Sequence, residues 1–492
     1  MSTENDQDDA SSGDDLANRS LDSDRPGEQD QEFTRSDSPD SPQWAPGVIH
    51  VEFKESRIPL RMLALARTGE SLTETHDLAV VDEILARYSM VPYERTFPIS
   101  SRQSDDKVEA DRDRFITFYA PATEISDNLL ADLRSSPDVA CATLMPRLAP
   151  PSSSPLCEPI LGDSGKLANN SEKCRVYPVG AKGLDTQWYI FRCQIDAAWN
   201  LTTPMLSGNG VVLADLDWGF RTTHQDLRRR IEIPFNTIEN NFMVSNGAKT
   251  NHGTAVLGLA GAAINQRGMA GIAYEANLWA IQAGDDVTGV DVLTEFKTWI
   301  AAIDLIRTAD SQGRRKVLML EVQTRHGGNA EMALPINKAI IDAINAGVVV
   351  CVAAGNKGRD ANIGDDGLPI CATGSILVGA TEYDPDETIN RRAFSNFGPR
   401  VTVYAPGDAF HDVTCSDQAN DLYTNCFGGT SGATAKVGGV VALMLEANDK
   451  LTHQEIEQIF RQTGSPITDD QDPQGIFLDA RQAVKEALRR VP

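Results

Sequence analysis

The sequence predicts a doubly wound α/β domain with a mostly parallel sheet over residues 185–492, preceded by a small α+β module of split βαβ type over residues 44–150. Two observations carry this. Continuous apolar runs such as Val211-Val212-Leu213-Ala214, Val317-Leu318-Met319-Leu320 and Val348 to Ala353 alternate with helical segments, as strands buried on both faces by crossover helices do. The earlier region reads strand, helix, strand, strand, helix, strand, the order of a split βαβ sandwich.

Residues 1–43 are rich in Asp, Glu, Ser and Gln and poor in apolar side chains. Such a segment buries too little surface to offset its ordering entropy, so it reads as a disordered acidic tail. In the module, Val48 to Phe53 alternates as a strand, Leu78 to Tyr88 has helical periodicity, and Tyr93 to Ile99 is the next strand. Arg114 to Tyr119 is a further strand, Ser126 to Leu133 a helix capped by Ser126, and Val139 to Leu144 the returning strand. Residues 151–184 are Pro- and Ser-rich and then Gly- and Lys-bearing, which marks a cleavable linker, with a pairing of Cys157 and Cys174 available to close it.

From Gln187 onward, Val256 to Ala263, Val292 to Ile306 and Leu334 to Ala346 read as helices, and Pro335 is tolerable in the first turn of the last. Leu278 to Ile281, Ser375 to Ala380 and Val401 to Tyr404 read as strands. In a sheet of this type ligands bind beyond the carboxyl ends of the strands. Asp217 and Asn356 fall at two such ends.

The totals exclude several functions. The 492 residues are 41% hydrophobic and 23% charged, with a net charge of −25 and a pI near 4.7. That balance disfavours nucleic acid and anionic membranes as partners, and no apolar run approaches a membrane span. Eight Cys in a chain of this length do not form a disulfide scaffold. Met1 to Asp9 has no basic region or apolar segment, so a cytoplasmic location is expected, with export by a non-classical route as the alternative.

The stretch Gly428 to Thr434 sets Ser431 among small residues at the start of a buried apolar helix. Small neighbours let a carbonyl approach, and a helix N-terminus offers N–H groups where an oxyanion develops. By itself such a Ser is an N-cap. Asp217 at a strand end and His252 opening a helix precede it, and Asp, His, Ser in that order is one of the known orders of the hydrolytic triad.

Together these stretches resemble the subtilisin-like serine proteases. Asp217-Trp218-Gly219-Phe220, with Thr223 to Leu227 after it, is similar to the catalytic Asp motif. Asn251-His252-Gly253-Thr254 is similar to the His motif, Gly429-Thr430-Ser431-Gly432 to the Ser motif, and Ala353-Ala354-Gly355-Asn356 to the oxyanion stretch. Phe394 to Gly398 and Ala405-Pro406-Gly407 resemble two further family segments. The likeness spans Gln187 to Ala487, and the module at 44–150 resembles the family's inhibitory propeptide. It implies a serine endopeptidase acting on proteins or peptides and made as an autoinhibited proenzyme. Asp217, His252 and Ser431 would be its triad and Asn356 its oxyanion donor. No cofactor is implied for the chemistry. A catalytically dead binding module and an acyl-transferring ligase or cyclase are the alternatives.

Departures from the family pattern accompany the match. Trp218 stands where Ser or Thr is usual, Ala435 where Pro is usual, and Glu321-Val322-Gln323 replaces the Ser-Leu-Gly of the substrate-pairing strand. With Lys357 near the pocket rim, Glu321 is expected to alter the specificity wall. The resemblance also implies a structural calcium at Asp226 and Asn265, with Gln187 as a third ligand. Cys415 and Cys426 bracket a loop and can pair in an oxidising compartment.

Overall fold

The computed structural model describes residues 44–55, 79–97, 108, 111–120, 127–146, 148–149, 176–177, 187–245, 252–265, 268–284, 292–324, 326–365, 367–382, 388–408, 412–425 and 427–491. The acidic tail, the Ser126 cap, Ile99, Asn251, most of the linker, and Cys157, Cys174 and Cys426 with their expected pairings lie outside the described residues.

The first module consists of β1 (Trp44–Phe53), α1 (Ala79–Arg87), β2 (Val91–Arg95), β3 (Phe115–Tyr119), α2 (Asp127–Ser135) and β4 (Val139–Pro146). Its strands form an antiparallel sheet in the order β2-β3-β1-β4. Ile49 lies opposite Phe118 and Leu144, and Val51 opposite Ile116 and Ala142. These residues share one face and form a separate core with Val81, Ile84 and Leu85 of α1 and Leu129, Leu130 and Leu133 of α2. Strand alternation turns Val48, His50, Phe115 and Thr117 to the other face. There Val48, Phe97, Phe115 and Met145 join the core of the larger domain.

The chain continues through β5 (Leu148–Ala149), β6 (Val176–Tyr177), α3 (Trp188–Arg192) and α4 (Ile195–Trp199). Then come β7 (Val211–Asp217), β8 (Ile231–Asn236), α5 (His252–Gly261), β9 (Asn277–Gln282), α6 (Val292–Thr308), β10 (Arg315–Leu320) and β11 (Gln323–Thr324). After α7 (Leu334–Asn345) follow β12 (Val349–Ala353), β13 (Ile376–Thr381), β14 (Val403–Pro406), β15 (Thr414–Cys415) and β16 (Tyr423–Thr424). The last elements are α8 (Gly429–Ala447), α9 (His453–Thr463), β17 (Ser465–Pro466), β18 (Ile476–Phe477) and α10 (Ala480–Arg489).

Nine strands make the central sheet, in the order β17-β18-β14-β13-β12-β10-β7-β9-β8, and only the β17–β18 pair is antiparallel. Every residue of β7, β12, β13 and β14 is buried. Full burial of a Val, Leu or Ile side chain contributes about 1.5–3 kcal/mol, which accounts for the unbroken apolar reading of these strands. The long helix α8 lies against β10, β12, β13 and β14 and packs on α5. No helix among the described residues is long and apolar enough to cross a membrane.

The module docks on α6 and α7. Arg112 donates to both oxygens of Asp304 on α6, at 2.6 and 2.7 Å, and through Nε to Asp342 on α7 at 2.7 Å. Lys338 of α7 pairs with Asp111 at 2.5 Å, and the His50 ring lies 6.1 Å from that of Phe296 on α6. At the end of the module β5 adds antiparallel to β11, with Ala149 opposite Gln323 and Leu148 opposite Thr324.

Candidate active site

Asp217 is the last residue of β7 and is fully buried. Its Oδ2 meets Nδ1 of His252, the first residue of α5. Its Oδ1 accepts from the Trp218 backbone N–H at 2.7 Å. That amide supplies a hydrogen bond where the family's usual hydroxyl is absent. The Trp218 ring is buried against Trp299 of α6, with centroids 5.0 Å apart. Gly253 permits the approach of α5 to this turn, since a Cβ there would fall 2.5 Å from the Phe220 ring and 2.7 Å from the Gly219 carbonyl.

Ser431 is in the first turn of α8, and its buried Oγ has no hydrogen-bond partner among the described residues. Phe427, just before that helix, contacts the His252 ring edge-on at 5.2 Å, so the two helix N-termini converge. Asn356 follows β12 and accepts through Oδ1 from both the N–H and the hydroxyl of Thr430, each at 3.0 Å. This fixes the amide and turns its NH2 side toward Gln323, whose Oε1 lies at 3.5 Å. Asn396 holds the same stretch from behind: its Nδ2 donates to Gly327 and Ala354, each at 2.8 Å, and its Oδ1 accepts from Lys357 and Arg359. Gly429 has φ +71°, and a Cβ on it would lie 3.3 Å from Asn356 Oδ1. The structure thus joins Asp217 to His252, and ties Asn356 to the residue before Ser431.

Of the three residues expected on the specificity wall, Gln323 pairs with Ala149 and Val322 is buried. Glu321 is a correction. Its side chain is 1% exposed and lies beside Asp215 in the core, so it is no wall charge. Met319 and Asp215 are opposite in the parallel register of β10 and β7, and two-residue alternation turns Glu321 the same way as Met319. Burial pushes both carboxyls well above the usual carboxylate range, and the nearby Asp217 adds to the shift.

Lys436, two turns into α8, is not marked by any sequence motif. It is fully buried and donates to Asp412 at 2.7 Å, to the Pro406 carbonyl at 2.9 Å and to Gly432 at 3.1 Å, and so anchors the helix that carries Ser431. A lysine in an otherwise apolar helical run, four residues from a glycine at i−4, was the available signal.

The residues expected to hold calcium do not fit it. Asp226 accepts through Oδ1 from Asn265 Nδ2 at 2.8 Å and through Oδ2 from the Tyr423 hydroxyl at 2.6 Å. Gln187 is engaged by Tyr189 and by both backbone groups of Ala270. A hard cation needs several oxygen lone pairs turned to one point, and here the oxygens of Asp226 and Gln187 accept from donors while Asn265 turns its Nδ2 to Asp226. His224 and Cys415 bring a ring nitrogen and a thiol near Asp226. His224 is bound to the Leu422 carbonyl and the Asp226 N–H, and burial holds the Cys415 thiol protonated. Asp226 and Asn265 form a hydrogen-bonded clasp with Tyr423 in place of a cation cage.

A family model described as the subtilase family matches residues 208–480. Thermitase from Thermoactinomyces vulgaris is 30% identical over 254 residues, which are 51% of this chain and 80% of that protein. Subtilisin Savinase from Lederbergia lenta is 29% identical over 282 residues, 57% of this chain and 91% of that one. Among solved structures, fervidolysin from Fervidobacterium pennivorans, described as a keratinolytic enzyme related to subtilisin, superposes with a TM-score of 0.52 at 16% identity. The superposition covers 90% of this chain and 61% of that one, and the likeness is one of fold.

Proposed function

We infer the activity of this chain from its family: it belongs to the subtilases, and it is a subtilisin-like serine endopeptidase acting on proteins or peptides. The acyl-enzyme chemistry of this family needs no cofactor. In the proposed mechanism the Ser431 hydroxyl attacks the scissile carbonyl while His252 takes its proton and later delivers it to the leaving amine. Asp217 holds the imidazole in one tautomer through Nδ1 and stabilises its cationic form. The Asn356 amide, held by Thr430, and the Ser431 N–H stabilise the oxyanion.

The same reading makes the chain a proenzyme whose module at 44–150 inhibits the domain that follows. The observation that carries it is the β5–β11 pair. Leu148 and Ala149 occupy, as an added strand, the edge on which a substrate backbone would pair, beside Gln323 and hence beside Asn356. Pairing of this kind leaves the chain seated like the acyl side of a cleaved product.

The experiment is to label the purified full chain with a serine-directed fluorophosphonate, before and after a cut in the linker and dilution. Label on Ser431 that becomes strong only after the cut is the expected result. Label on another serine would refute the nucleophile, and equal labelling of the intact chain would refute the inhibition.

A further inference from the structure

The docked module brings together two cysteines that no part of the proteolytic chemistry uses. Cys141 lies on β4, opposite Glu52 of β1, and is half-buried, whereas Cys371 belongs to the larger domain and is exposed. Their Sγ atoms are 3.6 Å apart. Both face a small cleft between the module and the domain, lined also by Arg134, Met332, Asn337 and Asp365. A disulfide has its sulfurs about 2 Å apart and its Cβ atoms about 4 Å apart. Rotation of the exposed Cys371 side chain toward the half-buried Cys141 closes the remaining approach.

We propose that Cys141 and Cys371 form a redox latch: an intramolecular disulfide that fastens the N-terminal module to the protease domain across the docking interface. The latch would act on the inhibited state and so rests on the reading of the module as an inhibitor.

The chemistry is thiol–disulfide exchange. The hydrogen bond between the two thiols holds Cys371 down at about 7, with the Arg134 guanidinium assisting, which makes Cys371 the attacking thiolate. Cys371 Sγ attacks one sulfur of a low-molecular-weight disulfide, and the first small thiolate leaves. Cys141 then loses its proton and attacks Cys371 Sγ, forming the protein S–S bond and expelling the second small thiolate. Two protein thiols are oxidised and one external disulfide is reduced to two thiols. A dithiol reductant reverses the sequence.

The latch changes what a cut in the linker achieves. Without it, a cut turns the module into a separate inhibitor that dilution removes. With it, the module stays at an effective concentration set by the tether, which raises apparent affinity by roughly 10²–10⁴. Activation then requires reduction as well as cleavage.

The test uses the full chain, cut in the linker ahead of Cys157 so that Cys157 and Cys174 stay on one fragment, equilibrated with oxidised or reduced glutathione, then quenched with an alkylating agent. On a non-reducing denaturing gel the oxidised protein should run as one species of the intact mass, and peptide mapping should find Cys141 joined to Cys371. Cys141→Ser and Cys371→Ser should each yield two separate fragments under both conditions. After dilution the oxidised protein should keep less than about a tenth of the peptidase activity of the reduced one, as the tether predicts. Fragments that separate under oxidising conditions, or that stay joined in Cys141→Ser, would overturn the latch. A mapped crosslink that leaves diluted activity unchanged would uphold the disulfide and refute instead the reading of the module as an inhibitor.

Discussion

Asp215 and Glu321 lie side by side in the core below Asp217, and apart from each other no side chain among the described residues donates to their four carboxyl oxygens. Two buried carboxyls without a cation cannot both be ionised, so the pair must hold a proton. Each is pushed up by burial, and the sign of the linkage follows. A carboxyl that binds its proton more tightly folded than unfolded does no harm below its unfolded value near 4. As pH rises above that value, stability falls by up to about 1.4 kcal/mol per group per pH unit until the folded group ionises. The double variant Asp215→Asn, Glu321→Gln should therefore gain melting temperature relative to the parent as pH is raised from 5 to 9. A difference that stays constant across that range would mean that the pair is not protonated.

The catalytic assignment makes a separable pair of predictions. Ser431→Ala should abolish peptide hydrolysis and fluorophosphonate labelling while leaving the melting temperature near that of the parent. Asn356→Ala should lower kcat by roughly 10²–10³ with KM little changed, the magnitude known for loss of one such donor in a subtilisin. An unchanged kcat would remove Asn356 from the oxyanion hole. Because Thr430 holds Asn356 by two hydrogen bonds, Thr430→Val should reproduce part of the same loss.

The clasp at Asp226 replaces an expected cation with hydrogen bonds, and that too is measurable. Tyr423→Phe removes the 2.6 Å bond to Asp226 and leaves a buried carboxylate oxygen short of a partner, a loss of about 1–3 kcal/mol. The drop in denaturation midpoint should be the same with a chelator as with added calcium. A larger drop in the chelator would mean that a cation shares the site.

The motifs that resemble a catalytic triad are legible because each is local. The Asp motif ends an apolar strand, the His and Ser motifs open helices, and small residues beside them mark close approaches such as Gly253 against Phe220. The apolar strands were legible from unbroken burial, as in β12. What stayed hidden depends on register between distant segments. Glu321 reads as a charge on a substrate-pairing edge, and only the pairing of β10 with β7, about a hundred residues apart, turns it into the core beside Asp215. Tyr423 reaches Asp226 from nearly two hundred residues away, and nothing in either neighbourhood marks the pair. The edge strand β8 was missed because Glu232 and Pro234 break its pattern and it is only half-buried.

Arg112 is a charged contact of the docked module, 5% exposed and bonded to carboxylates on two helices. Removing one member of such a buried pair costs about 3–5 kcal/mol. Arg112→Ala should therefore weaken inhibition by the cleaved module by at least a hundredfold in trans, measured as the inhibition constant, while the activity of the released domain stays unchanged. Inhibition within tenfold of the parent would show that Arg112 contributes to folding of the module and not to its docking.

His50 makes that docking sensitive to pH. Its ring is buried at the interface facing Phe296, with Nδ1 bonded to Thr117 at 3.0 Å, and burial alone lowers it to about 3. On the free module the same face is uncovered, and the ring should titrate near the ordinary 6.5. A base held neutral in the complex and free to ionise outside it supports docking fully above 6.5. That support is lost as pH falls toward 3, by up to about tenfold in affinity per unit. The inhibition constant of the module should therefore rise between pH 6.5 and 4.5. His50→Gln keeps a hydrogen-bonding group of similar reach without the titration, and should flatten this rise. An equally steep rise in His50→Gln would move the pH dependence to another group.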